Sequence, residues 1–143
     1  MHIRFTLVAA WLAVLAPAAA QDTKSAPGAR VYFINLKTGD VVANPVVIQF
    51  GLRGMGIAPA GSRDDFTENT GHHHLLVDAK LEGEALTQPV PMDDNHRHFG
   101  RGQTEASITL PLGRHTLQLA LADWTHIPHV PPVMSEVITI EVK

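Results

Sequence analysis

The chain has 143 residues, with 11 basic and 14 acidic side chains, nine histidines and a formal net charge of −3 at pH 7. That balance argues against nucleic acid as a partner, because such binding needs a basic face to neutralise phosphates. Cysteine is absent, which excludes disulfides, thiolate metal sites, a cysteine nucleophile and a lipidated N-terminal cysteine together.

The first twenty residues carry the parts of a secretion signal in order: Arg4, an apolar stretch from Phe5 to Leu15, and Ala18-Ala19-Ala20 before Gln21. Cleavage after Ala20 is expected, which places the protein in the periplasm or outside the cell. The apolar stretch is too short for a bilayer core that needs about 20 residues, so no membrane span is expected after cleavage. Residues 21–28 are polar, end in Pro27-Gly28 and read as a flexible lead-in. Residues 29–143 then suffice for a single domain with one hydrophobic core.

From Ala29 onward, short β-type runs alternate with Gly, Pro and Asp, and no window has a convincing helical period. Strands are expected over 30–36, 45–52, 73–79, 105–110, 114–122 and 136–142, with a weaker one over 86–90. Val46, Ile48 and Phe50 share one face, as do Leu117, Leu119 and Leu121, and Ile138, Ile140 and Val142. Such alternation marks half-buried antiparallel strands. About seven strands in this space predict an all-β fold, an immunoglobulin-like antiparallel β-sandwich, with a barrel as the alternative. The run Leu110 to Leu117 resembles the corner before the sixth sandwich strand, with His115 where a tyrosine usually bonds back to the backbone.

In a sandwich of this order, the loops after the second, fourth and sixth strands emerge at one end. Seven histidines fall there: His72, His73 and His74 before the third strand, His96 and His98 before the fifth, and His126 and His129 after the sixth. Residues i and i+2 of an extended segment face the same way about 7 Å apart, so His72/His74 and His96/His98 can each offer two imidazoles to one ion. Pro128, Pro131 and Pro132 stiffen the segment carrying His126 and His129. These six histidines are the candidate metal ligands, with His73 a weaker one because a residue between two others must point away from both. His115 is expected to be structural.

Met55, Met92 and Met134 lie in or beside the same loops and are weaker candidate ligands. Imidazole suits copper, zinc and nickel, and thioether suits Cu(I), so a thiolate-free His and Met end points first to copper and then to zinc. Asp93, Asp94 and Asp123 are turn formers first and partners of an imidazole second. The Gly-rich stretches 53–56 and 100–103 precede no helix, which disfavours a phosphate cradle. No histidine stands third after Ala20, so the mature amino terminus offers no copper site of that type.

The stretches Gly71-His72-His73-His74-Leu75-Leu76-Val77-Asp78, Asn95-His96-Arg97-His98-Phe99-Gly100-Arg101-Gly102-Gln103-Thr104-Glu105, His115-Thr116-Leu117-Gln118-Leu119 and Asp123-Trp124-Thr125-His126-Ile127-Pro128-His129-Val130-Pro131-Pro132-Val133-Met134-Ser135 resemble a bacterial exported family known as domain of unknown function 4399. The resemblance covers nearly all of the chain beyond the signal. It implies a periplasmic or secreted domain and brings no activity or ligand set.

Three functions compete. The first is a metal-binding protein that buffers, delivers or senses copper or zinc. The second is a metal-free module whose His-rich end binds an envelope protein or glycan. The third is a hydrolase or oxidase with three histidine ligands, an open metal position, and Asp123 or Glu68 as base. No Gly-x-Ser-x-Gly or His-Glu-x-x-His motif supports catalysis.

Overall fold

The alternating apolar residues build two sheets that face each other across one core. A computed structural model describes residues 23–62 and 69–143; the expected secretion signal and Glu68 lie outside the described residues. Ten strands form there: β1 (Arg30–Phe33), β2 (Val41–Val42), β3 (Val46–Arg53), β4 (Gly56–Ile57), β5 (Thr70–Val77), β6 (His96–Phe99), β7 (Glu105–Ile108), β8 (Gly113–Ala122), β9 (Pro128–Met134) and β10 (Ile138–Val142).

β1, β3 and β7 make a three-stranded antiparallel sheet in the order β1-β3-β7. β5 and β8 are the centre of the second sheet and pair antiparallel from His72↔Ala122 to Val77↔Leu117. Two short strands flank each of them end to end: β4 and β6 on the far side of β5, β10 and β9 on the far side of β8. β2 extends the sheet beyond β10. The result is the expected all-β, immunoglobulin-like sandwich, with strands added at its edges.

Val46, Ile48 and Phe50 from one sheet meet Leu75, Val77, Leu117, Leu119, Leu121 and Ile140 from the other, all buried. Burying each such side chain contributes roughly 1.5–3 kcal/mol. A second, smaller core lies on the opposite face of β5 and β8. There Leu76, Ala120 and Ala122 are covered by Leu81, Val90 and the half-buried Leu86.

The expected weak strand over 86–90 is part of that cover and is not a strand. Gly83–Thr87 forms a 3-10 helix with no buried residue; Gly83 has φ +57° and Thr87 Oγ1 donates to the Glu84 carbonyl. The segment drops Leu86 and Val90 onto the second core instead of pairing its backbone with an edge. Conversely, β6 and β9 occupy segments read as loops. β9 keeps its prolines because its contact with β8 is broken by a register shift between Leu121 and Ala122, leaving Pro131 and Pro132 outside the paired positions. Thr23, Lys24 and Ser25, within the expected flexible lead-in, run beside β9: Val130 donates to the Thr23 carbonyl and Ser25 to the Val130 carbonyl.

The corner before β8 closes through His115. Its Nδ1 lies 2.7 Å from Asp78 Oδ2 and its Nε2 2.9 Å from the Pro111 carbonyl, so the imidazole makes the backward backbone bond expected at this corner. Asp78 Oδ1 also accepts from the Thr116 amide. Burial lowers the His115 pKa, but the Asp78 and Pro111 bonds outweigh it and the net shift is upward from 6.5. Asp78 is held below 3.8, its bonds from His115 and Thr116 overcoming desolvation. A raised histidine contributes fully below its unfolded pKa and loses that contribution as pH rises through its folded one; a depressed carboxylate contributes above its unfolded pKa. His115→Ala should therefore cost roughly 1–3 kcal/mol. Urea unfolding should show the gap to the parent widest between about pH 4 and 6.5 and narrowing above that window; a gap that widens toward pH 9 would contradict the pairing.

Candidate metal centre

The period of two along β5 divides its three consecutive histidines. His73, Leu75 and Val77 point into the main core, where the His73 ring lies 5.1 Å from that of Phe50. His72, His74 and Leu76 point to the opposite face. Across the ladder, His72 stands opposite Ala122 and His74 opposite Ala120. Those two methyl side chains leave room for imidazoles where larger residues would fill the face.

β6 pairs on the other side of β5 with His74↔His98 in register, so His98 shares the face of His72 and His74. Its ring folds back over Gly100: a Cβ there would overlap His98 Cε1 and Nε2. His126 arrives from the turn between β8 and β9. Asp123 Oδ1 organises that turn by accepting from Thr125 N and Oγ1, at 2.8 and 2.6 Å, and from Ile127 N at 3.1 Å. Its Oδ2 accepts from Thr23 Oγ1 at 2.6 Å. His126 has φ +72°, and its carbonyl accepts from Val90 N, which ties the turn to the cover of the second core.

Four imidazoles thereby meet. The centroids of His72, His74, His98 and His126 lie 4.8 to 6.1 Å apart. One ring nitrogen each of His72, His98 and His126 falls within 4.8 Å of the other two, and His74 Nε2 lies 2.9 Å from His72 Nε2. His72 Nδ1, His74 Nδ1 and His98 Nε2 are buried without a hydrogen-bond partner. His72 and His74 are fully buried and His98 and His126 partly so, which leaves the last two as the solvent-facing side of the cluster.

The other expected ligands stand elsewhere. His96 shares the start of β6 but turns to Asp93, with Nδ1 2.8 Å from its carboxylate; that bond is the main reason the Asp93 carboxyl lies below its ordinary value. His129 is buried between β5 and β8, its Nε2 3.0 Å from the Thr70 carbonyl and its Nδ1 facing the Leu121 carbonyl. Gly71 accommodates it, since a Cβ there would come within 2.9 Å of the His129 ring and 2.6 Å of the Ala122 carbonyl. Met55 packs on the main core, Met134 on the second core, and Met92 is exposed. Asp94 pairs with Arg97 at 3.4 Å on the surface. Asp123 holds its turn, and its hydrogen bonds from Thr125, Thr23 and Ile127 overcome desolvation to keep it ionised. Convergence thus arises mainly on one face of one sheet, with a single turn adding His126, and not from three loops meeting at an end.

Burial is the main force on the histidine charges. It pushes His72 down to about 4, with help from His98 and His126, and His74 to about 2, with help from His72, His98 and His126. His98 is lowered by burial and then by His126; His73 falls to about 4 through burial alone. His72, His74 and His98 are therefore poised with lone pairs available at neutral pH, the state a metal ion requires.

The unfolded chain binds protons that these folded histidines refuse, so stability rises with pH wherever that difference persists. Metal-free protein should be most stable above about pH 6.5 and lose stability progressively toward about pH 4, with His115 offsetting part of the loss. Both ring nitrogens of His73 are buried without partners. His73→Leu should accordingly raise stability by roughly 1–3 kcal/mol at pH 7 and flatten the acid dependence. Urea midpoints from pH 7.5 to 4.5 test both statements, and a parent protein of constant stability across that range would contradict them.

No curated protein and no solved structure matches the chain. The family described as Domain of unknown function (DUF4399) matches residues 48–143, a span that begins inside β3 and contains all four clustered histidines, and the chain belongs to that family.

Proposed function

We propose that this protein is an exported metal-binding protein that buffers, delivers or senses a copper or zinc ion through His72, His98 and His126, with His74 as the fourth ligand. The observation that carries the proposal is the meeting of four imidazoles on one face with three of their buried nitrogens unpartnered. A hydrogen-bonded polar cap would satisfy those nitrogens, because each one left bare costs roughly 1–3 kcal/mol. A bound cation would repay that cost in the folded state and stabilise it by mass action.

An imidazole set suits copper and zinc alike, and no thioether among the described residues joins the four rings: Met55 packs on the main core, Met134 on the second core and Met92 is exposed. The catalytic alternative has less support, because both carboxylate oxygens of Asp123 already accept hydrogen bonds, Oδ1 from the turn and Oδ2 from Thr23. Among the described residues no helix is long and apolar enough to cross a membrane. Export rests on the Arg4, Phe5–Leu15 and Ala18-Ala19-Ala20 pattern. Sequencing the amino terminus of protein recovered from the periplasm or medium should give Gln21-Asp22-Thr23, whereas an intact Met1 in the cytoplasmic fraction would remove the exported part of the proposal.

Protein purified without chelators should titrate to one Zn(II) or one copper ion per chain by calorimetry and elemental analysis. His98→Ala should weaken binding by at least the roughly 10–100-fold that loss of an outer hydrogen-bond partner alone costs. His96→Ala, which removes a ring bonded to Asp93 and outside the cluster, should leave the affinity unchanged. A chain that carries no metal and gives no heat or spectral change with either ion would overturn the proposal; equal losses in both variants would move the site to β6 as a whole.

A further inference from the structure

The ion preference of this site follows from the shape of the cluster, and the inference rests on the metal-binding proposal above. The ring centroids of His72, His74, His98 and His126 define six separations. Five of them lie between 4.8 and 5.1 Å, and the sixth, His74 to His126, is 6.1 Å. Four rings set around an ion in the flat arrangement favoured by Cu(II), with edges of this length, would need two diagonals of about 7 Å. No separation in the cluster is that long. The centroids stand at the corners of a tetrahedron drawn out along one edge.

The size of the tetrahedron is compatible with its shape. An ion sits about 2.0–2.1 Å from an imidazole nitrogen and the ring centre lies about 1.2 Å farther out, so four tetrahedral imidazoles that each aim a nitrogen at the ion place their centroids about 5.2 Å apart. One nitrogen each of His72, His98 and His126 already falls within 4.8 Å of the other two, and His74 Nε2 reaches the set through His72 Nε2 at 2.9 Å. The strand ladder resists any flattening. His72 and His74 are fixed two residues apart on β5 between β6 and β8, and His98 is held across from His74 by the same register. Bringing these three rings and His126 into one plane would require turning the fully buried rings of His72 and His74 out of their packed positions.

We infer that the site selects ions with no tetragonal preference, Zn(II) and Cu(I), against Cu(II). Both favoured ions have a filled d shell and accept a tetrahedral imidazole set. Cu(II) would have to bind in a geometry that forfeits much of its usual advantage over zinc. Copper carried by this protein would then be held in its reduced form.

The purified full chain should be titrated with Zn(II) and Cu(II) in air and with Cu(I) anaerobically, each against a chromophoric competitor of known affinity. Cu(I) and Zn(II) should each bind once and displace one another. Cu(II) should exceed Zn(II) by less than about tenfold, where an unconstrained nitrogen site follows the usual order with Cu(II) well ahead. Its electron paramagnetic resonance spectrum should have the small parallel hyperfine splitting of a flattened tetrahedron. A Cu(II) advantage above tenfold, or a square tetragonal spectrum, overturns the inference while leaving metal binding intact. Failure of all three ions to bind removes the metal-binding proposal itself, and this inference with it. His74→Ala, which deletes one corner, should raise the Cu(II) to Zn(II) affinity ratio several-fold; an unchanged ratio would show that the fourth imidazole does not impose the geometry.

Discussion

Much of this molecule depends on one constraint: β5 is buried on both faces. Of its eight residues, all but Thr70 are buried. One face belongs to the sandwich core, through Leu75 and Val77, and the other to the second core, through Leu76. A strand buried on both faces cannot slip its register, because a one-residue shift would exchange the two sets of side chains between faces. That locks His72 and His74 onto the outer face and His73 into the inner one. It also fixes which residues of β8 and β6 stand beside them, so Ala120, Ala122 and His98 become part of the site through the ladder and not through loop conformation.

Covering the outer face is what makes the site chemically distinct. An open sheet face would leave His72 and His74 hydrated, with pKa values near those of free imidazole. Here the segment between β5 and β6 returns over that face with Leu81 and Val90, and the β8–β9 turn adds His126. Lost hydration is the first cause of the depression at both histidines, and neighbouring imidazoles add to it. The Asp123 turn has the same double role. It satisfies Thr125 and Ile127 within the turn, ties the turn to Thr23 and fixes the position of a histidine whose backbone conformation is uncommon for a residue with a side chain.

Much of this was legible in the sequence, and the remainder fails for identifiable reasons. Alternation located β3, β8 and β10 because each turns every second residue into the main core. It could not locate β6, whose four residues carry three polar side chains, nor β9, whose prolines read as a loop. The i, i+2 rule paired His72 with His74 correctly in space but paired His96 with His98 as ligands. The register does put His96 on the same face, opposite Leu76. There Asp93, three residues earlier, takes its Nδ1. Local turn chemistry decided between the two histidines, and the Asp93-Asp94-Asn95 run was the available signal. His129 was separated from His126 by the end of a strand, which a spacing of three residues does not reveal. Gly71 and Gly100 carried the one hint missed altogether: a glycine directly before or shortly after a histidine in a strand marks a close approach of that ring or of a neighbouring strand.

The histidines of this chain consequently do three kinds of work that composition alone cannot separate. His115 and His129 spend their nitrogens on carbonyls and a carboxylate, as interior imidazoles in a finished fold do. His96 serves a surface turn. The cluster leaves buried nitrogens of His72, His74 and His98 without a hydrogen-bond partner, at a cost in stability that apolar residues of similar volume would avoid. His73 is the instructive contrast, because it is equally buried and has both nitrogens unpartnered, yet it stands beside Phe50 in an apolar core away from the other imidazoles. An unpartnered nitrogen by itself therefore does not mark a site. What distinguishes the outer face is that three separately anchored segments bring four imidazoles together there, with one nitrogen each of His72, His98 and His126 within 4.8 Å of the other two, an arrangement in which charging one ring opposes charging the next.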